Sequence, residues 1–207
     1  MKKWFTADWH LGEDRIGING KPNLFYRPFK AMDVGGKPID VVGVQNLKIL
    51  VNFKNSGFKN GDELYHMGDV VYDWQYDSTS GAHSILDMLK KMFPKSKFHL
   101  IIGNYDEDKV EELGEYFDNI VDSAELQIGN FNCYLNHYPV QCKRQLDVGP
   151  IYDFAITGHI HGLWKVQKNM INVGVDAWHF KPVSEDEILF CWNAMQKFYD
   201  ENVFPYN

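Results

Sequence analysis

His66-Met67-Gly68-Asp69-Val70 closes an apolar run that begins at Glu63, and it reads as a strand that enters a core and ends in Gly-Asp. Such an ending delivers one carboxylate to the rim of a sheet, and the glycine leaves room for close approach to the backbone. Gly-Asp pairs also end ordinary strands at turns, so the pentapeptide gains weight only from its company. Asp8-Trp9-His10 lies upstream, and Gly103-Asn104, His137 and Gly158-His159-Ile160-His161 lie downstream. Each follows a segment that itself reads as a strand.

Working outward, Lys2 to Ala7 reads as a first strand, with Asp8 and His10 just past its end. Leu11 to Lys37 is rich in glycine, proline and aromatics and reads as a long irregular loop, a place where function concentrates. Asp40 is a plausible N-cap for a helix to about Asn55, with Val41, Val44, Leu47, Leu50 and Val51 on one face. Val70 to Ser80 reads as a loop, and His83 to Phe93 as a helix stopped by Pro94. Phe98 to Ile102 is a buried strand, and Asp108 to Tyr116 a short acidic helix. Strands follow at Ile120 to Val121, Glu125 to Ile128, Phe131 to Asn136, Phe154 to Thr157 and Met170 to Val175. Ile128-Gly129-Asn130-Phe131 suggests a hairpin. Ser184 and Glu187 form a capping box that opens a helix to about Phe198. Strands and helices mix throughout without a linker, so a single domain over residues 1–207 is expected.

The 207 residues, 44% of them hydrophobic, suffice for one large core. With 28 acidic against 21 basic residues the net charge is −7, which disfavours a protein that must neutralise many phosphates of a nucleic acid. It leaves room for one small phosphate ester at a local positive site. Cys133, Cys142 and Cys191 are odd in number and lack zinc-type spacing, as in buried thiols of a reducing compartment. No apolar run reaches membrane length, and no signal-peptide pattern opens the chain. A soluble, cytoplasmic protein is expected.

Two residues apart at a strand end, Asp8 and His10 are expected to point to one side and reach one ion; His159 and His161 repeat the spacing. Carboxylates with imidazoles ligate Mn, Fe, Zn, Ni or Co and differ from the oxygen-only sets of Ca and Mg. Asp8, His10, Asp69, Asn104, His137, His159 and His161 make seven ligands, too many for one tetrahedral ion. They suit two ions about 3.5–4 Å apart that share Asp69. Two dications, two carboxylates and a bridging hydroxide leave roughly +1, which attracts a phosphodiester monoanion. His66, His83 and His99 lie in or near elements and read as structural or surface histidines, and His179 is a weaker candidate for the site wall.

Taken in order, these motifs resemble the calcineurin-like metallophosphoesterases, whose pattern is D-x-H, G-D, G-N-H-D/E, H, then G-H-x-H. The resemblance spans Asp8 to His161, and Asn172-Val173-Gly174-Val175-Asp176 looks like small bacterial and phage members. It implies a four-layer α/β/β/α sandwich of two mixed sheets flanked by helices, with the site on loops at strand ends. It also implies one ion on Asp8, His10, Asp69 and His161, and a second on Asp69, Asn104, His137 and His159. One position departs: Gly103-Asn104-Tyr105-Asp106 carries Tyr105 where the family's proton-donating His stands. A phenol with pKa near 10 is a poorer proton shuttle than imidazole at pH 7, and related members with Cys at this place look like phosphodiesterases.

The expected activity is therefore hydrolysis of a small phosphodiester, such as a cyclic nucleotide or dinucleotide, by a metal-bridging hydroxide, with Mn favoured as the metal. Tyr105 would meet the phosphoryl oxygen or the leaving group, Asp106 would hold the loop, and Asn104 is a catalytic candidate as well as a ligand. Two other functions are compatible with the residues. A nuclease for short single strands would need a basic, aromatic track, for which Arg15, Arg27, Lys30, Lys143, Arg144, Trp9, Tyr26 and Tyr138 are candidates. A catalytically silent interaction module could keep the fold after losing its proton donor, although clustered polar ligands are costly without a cation.

Overall fold

The computed structural model describes residues 1–13, 41–76, 79–139 and 152–198. Two five-stranded sheets form around the motif-bearing strands. In the first, β1 (Lys3–Thr6), β2 (Glu63–His66), β3 (Lys97–Ile101) and β4 (Asn119–Val121) run parallel in that order. A short strand, β10 (Val183–Ser184), pairs antiparallel with β1 at the edge. The second sheet pairs β5 (Ser123–Ile128) antiparallel with β6 (Phe131–Asn136), then β6 with β7 (Phe154–Thr157) and β7 with β9 (Met170–Asn172) in parallel. β8 (Val166–Gln167) closes it antiparallel to β9.

Parallel neighbours need crossovers. Helices α1 (Val41–Lys54), α2 (Ala82–Met92) and α3 (Val110–Leu113) lie in the three connections of the first sheet. All its parallel strands therefore end at one edge, where open α/β sheets place their ligands. Pleating sends alternate side chains to opposite faces. Trp4, Leu64, Phe98 and Leu100 pack with Ile49, Leu50 and Phe53 of α1 and Ile85, Leu86 and Leu89 of α2. Phe5, Ala7, Met67 and Ile101 turn the other way and share a cluster with Leu135, Ile156, Ile171 and Val173 of the second sheet. The final helix, α4 (Glu185–Phe198), adds Ile188, Trp192 and Met195 to that cluster. The mixed-sheet α/β sandwich that the family resemblance implies is the architecture observed.

Three local readings differ from the structure. On α1 the inward face is Val42, Gln45, Asn46, Ile49, Leu50 and Phe53, while Val44, Leu47 and Val51 are exposed. Phe53 decides the rotation: its ring meets Trp9, Phe58 and Phe93, and burying one such side chain is worth roughly 1.5–3 kcal/mol. Asn46 is tolerated inside because its Nδ2 donates to Ser80 O at 2.8 Å. The strand expected to reach Val175 ends at Asn172, and the acidic helix is one turn, Val110–Leu113, in a segment crowded with Glu111, Glu112 and Glu115. β8 and β10, two residues each, carry too little pattern to be read beforehand. Most of the early loop and the Asp40 cap lie outside the described residues.

The candidate dinuclear centre

The motifs sit where the two sheets meet. Asp8 N–H donates to Gly68 O and His10 N–H to Asp69 O, both at 3.0 Å, which ties the end of β1 to the end of β2. Gly158 N–H donates to His137 O at 3.1 Å, and His159 N–H to Asp8 Oδ1 at 2.9 Å, which ties the second sheet to the first. Ala7 pairs with Gly174 across the seam. The glycines allow this crowding. A Cβ on Gly68 (φ 89°) would lie 2.5 Å from His137 Nδ1, and one on Gly103 would strike Asp69 Oδ1.

Five of the seven candidate ligands adopt left-handed backbone: Asp8 (φ 58°), His10 (47°), Asp69 (61°), His159 (72°) and His161 (51°). Non-glycine residues pay for this region in steric strain, and such strain gathers at functional sites. It also corrects the spacing argument. Asp8 and His10 do share a donor group, but through two left-handed residues beyond the strand and not through strand pleating. His159 and His161 do not share one. His161 joins Asp8 and His10, whereas His159 joins Asp69 and His137; within each trio the donor atoms lie within 4.8 Å of one another.

Asp69, a member of the second trio, also reaches the first. Its Oδ2 is 3.4 Å from His10 Nε2 and 3.4 Å from His137 Nε2. Asn104 Oδ1 lies 3.2 Å from His137 Nε2 and 3.1 Å from His159 Nδ1, and those two nitrogens are 3.2 Å apart. Acceptor atoms this close repel unless a proton or a cation sits among them. Two of the opposite ring nitrogens are already engaged: His137 Nδ1 donates to Met67 O at 2.6 Å, and His161 Nδ1 lies 2.7 Å from Asp176 Oδ2. Such outer partners fix the tautomer and aim the other nitrogen at a metal. The donor set thus fits divalent transition metals.

No protein-family model matches the chain, and no curated protein matches it in sequence. Among solved structures it is similar to a protein of unknown function from Aquifex aeolicus, at 26% identity and TM-score 0.66, over 92% of this chain and 98% of that one. It is also similar to an archaeal phosphodiesterase, at 17% identity and TM-score 0.49 over 84% of each chain. A third likeness is to YfcE, a phosphoesterase from E. coli, at 16% identity and TM-score 0.45, over 84% of this chain and 78% of that one. The likeness to the Aquifex aeolicus protein shows a shared fold, two mixed sheets with helices.

Within the site, burial dominates the electrostatics. It pushes Asp8 up to about 6, opposed by the His161 and His137 rings. It would pull His137 down, but the hydrogen bond and charge of Asp69 outweigh it and raise that imidazole to about 9, while Asp69 itself is held below the usual carboxylate range. Asp106 is buried and raised to about 6, against three backbone N–H donors: Asp69 at 2.7 Å, Val70 at 2.9 Å and Gly103 at 2.9 Å. It clamps the β2 and β3 loops together. Tyr105 N–H donates to Asp69 Oδ1 at 2.9 Å, and its ring stands edge-on to His10 with centroids 4.9 Å apart.

Glu13, Asn172 and Asp176 were not singled out from sequence as site residues. Asn172 is fully buried; its Nδ2 donates to His161 O at 2.7 Å and its Oδ1 accepts from Gly174 N–H at 2.8 Å. For Glu13 the only available signal was its place three residues after His10. Trp9, a candidate base-stacking residue, is 1% exposed, and its Nε1 donates to Thr6 Oγ1 at 2.7 Å; it is core and cannot meet a ligand. Tyr138 does reach the site, packing on His137 and His159. Arg15, Tyr26, Arg27, Lys30, Cys142, Lys143 and Arg144 lie outside the described residues. His83 is exposed on α2 and stacks with Trp74, and His99 stacks on Tyr65. His179 is exposed, with its carbonyl bound by Asn52. Among the described residues, no helix is long and apolar enough to cross a membrane.

Proposed function

We propose that the chain is a metal-dependent phosphodiesterase acting on a small phosphodiester of the cyclic-nucleotide or dinucleotide kind. Two divalent transition-metal ions, Mn foremost, with Fe, Zn, Ni or Co able to serve, would be held by Asp8, His10, Asp69 and His161 on one side. Asp69, Asn104, His137 and His159 would hold the second. The observation that carries this is the position of Asp69 Oδ2, equidistant from His10 and His137 and so common to both donor groups. Bound cations would supply Lewis acidity toward the phosphoryl oxygens and lower the pKa of water at the site. Asp106 keeps Asp69 and Gly103 in register, and Asp176 orients His161. Tyr105 would donate a hydrogen bond to a phosphoryl or leaving-group oxygen.

Preference for diesters rests on Tyr105. A neutral phenol gives up its proton poorly at pH 7, which suits a leaving group that needs little protonation. Wild type, Tyr105→Phe and Tyr105→His are compared on bis(p-nitrophenyl) phosphate and p-nitrophenyl phosphate with added Mn²⁺. Wild type should favour the diester, and Tyr105→His should gain on the monoester. Wild-type turnover of the monoester equal to or above the diester would overturn the preference. Protein purified without chelator should carry transition metal by elemental analysis; none bound and none taken up would instead support the silent interaction module.

A further inference from the structure

Tyrosine combines a flat apolar face with a polar tip, so a partly open tyrosine pair beside a polar centre can receive the flat face of a ligand. Tyr72 and Tyr105 form such a pair. They are 41% and 36% exposed, and their ring centroids lie 5.3 Å apart at an interplanar angle of 39°. The backbone beneath them is fixed. Tyr72 N–H donates to Leu11 O at 3.0 Å, and Leu11 pairs with Val71 across the seam between the β1 and β2 loops. Tyr105 is anchored by its own N–H on Asp69 and by its ring edge on His10. The pair is thus continuous with the donor group of Asp8, His10 and His161, and Tyr72 extends it one ring outward, away from the residues that would hold metal.

We propose that Tyr72 and Tyr105 form a stacking subsite for a planar aromatic group of the substrate, the base of a nucleoside esterified to the phosphate; this rests on the phosphodiesterase function proposed above. Every base has a π-face, so a tyrosine platform binds any of them, and it adds affinity without a basic track. That agrees with a chain of net charge −7. Tyr72, whose ring packs on Tyr105 and not on a candidate ligand, sets selectivity for the substituent and not the hydrolytic step.

The test uses two esters with the same leaving group: thymidine 5′-(p-nitrophenyl phosphate), which carries a base, and methyl p-nitrophenyl phosphate, which does not. With Mn²⁺ present, wild type should prefer the thymidine ester. In Tyr72→Ala the thymidine-to-methyl ratio of kcat/KM should fall about tenfold, through KM, the size expected for losing one stacked ring. Tyr72→Phe should restore the ratio, since it keeps the ring face. Calorimetric binding of thymidine 5′-monophosphate to the Mn²⁺-loaded protein runs alongside and needs no turnover. If neither ester is cleaved but Tyr72→Ala weakens nucleotide binding about tenfold, the subsite stands and the phosphodiesterase function falls. If both esters are cleaved with one ratio in wild type and Tyr72→Ala, or if nucleotide binding is the same in both, the subsite is overturned.

Discussion

His66 is the buried histidine the site does not use. It is fully buried on β2, edge-on to Trp9 and Phe117, and among the described residues neither ring nitrogen has a hydrogen-bond partner. Burial pulls its pKa down to about 3, against the pull of Asp69. Above pH 6.5 the ring is neutral folded or unfolded and has no effect on pH dependence. Below 6.5 the unfolded chain takes up a proton that the folded chain refuses until about pH 3, so stability drains as pH falls through that window. By pH 4 the loss is about 3 kcal/mol, a large share of a typical 5–15 kcal/mol. Asp106, raised by burial, works in the opposite direction between pH 3.8 and 6, so the comparison must be with a variant. His66→Phe keeps the aromatic packing and removes the titration. Denaturant melts of chelated protein at pH 7 and pH 4 should show the variant gaining about 3 kcal/mol on wild type; a constant difference at both pH values would refute this account.

At the scale of the element, α1 shows what a sequence pattern conceals. Val44, Leu47 and Val51 recur at helical spacing, yet they face outward, because Ile49 and Phe53 have larger partners waiting in Trp9, Phe58 and Phe93. Ile49→Ala should cost roughly 2–5 kcal/mol by cavity formation, whereas Leu47→Lys should change stability by no more than about 0.5 kcal/mol. Urea melts of the two variants check this, and an expensive Leu47→Lys would restore the rejected face. Other elements were legible because their punctuation is chemical: Pro94 stops α2, and Ser184 with Glu187 opens α4, where Glu187 Oε2 accepts from Ser184 N–H at 2.9 Å. The residue types that cluster at the seam could be read for the same reason. Which histidine joins which trio could not be read from spacing, since left-handed turns at His159 and His161 redirect the side chains. Asp176 sat in a recognised segment, but its partner His161 is fifteen residues away and only folding joins them.

For the whole molecule, the site is also the seam. Asp8, His10, Asp69 and Asn104 follow strands of the first sheet; His137, His159 and His161 follow strands of the second. A cation held by both groups cross-links the sandwich. Metal at one hundred times its Kd adds about 2.7 kcal/mol, which for a chain of this size raises Tm by roughly 5–10 °C. Scanning calorimetry of chelated protein with and without Mn²⁺ should show that rise. Asp176→Asn removes the charge behind His161 and should require 10–100-fold more Mn²⁺ for the same shift. A chelated protein that melts no lower than the loaded one would place the metal elsewhere.

The left-handed turns at Asp8, His10, Asp69, His159 and His161 carry a further implication. Each is a position where glycine or asparagine would fit the backbone more comfortably than the residue present. This chain carries an aspartate or histidine at all five. A descendant of this chain released from the need to hold cations would have a local reason to relax, and these turns are where it would do so first. Loss of function in such a lineage would then leave a sturdier fold behind it.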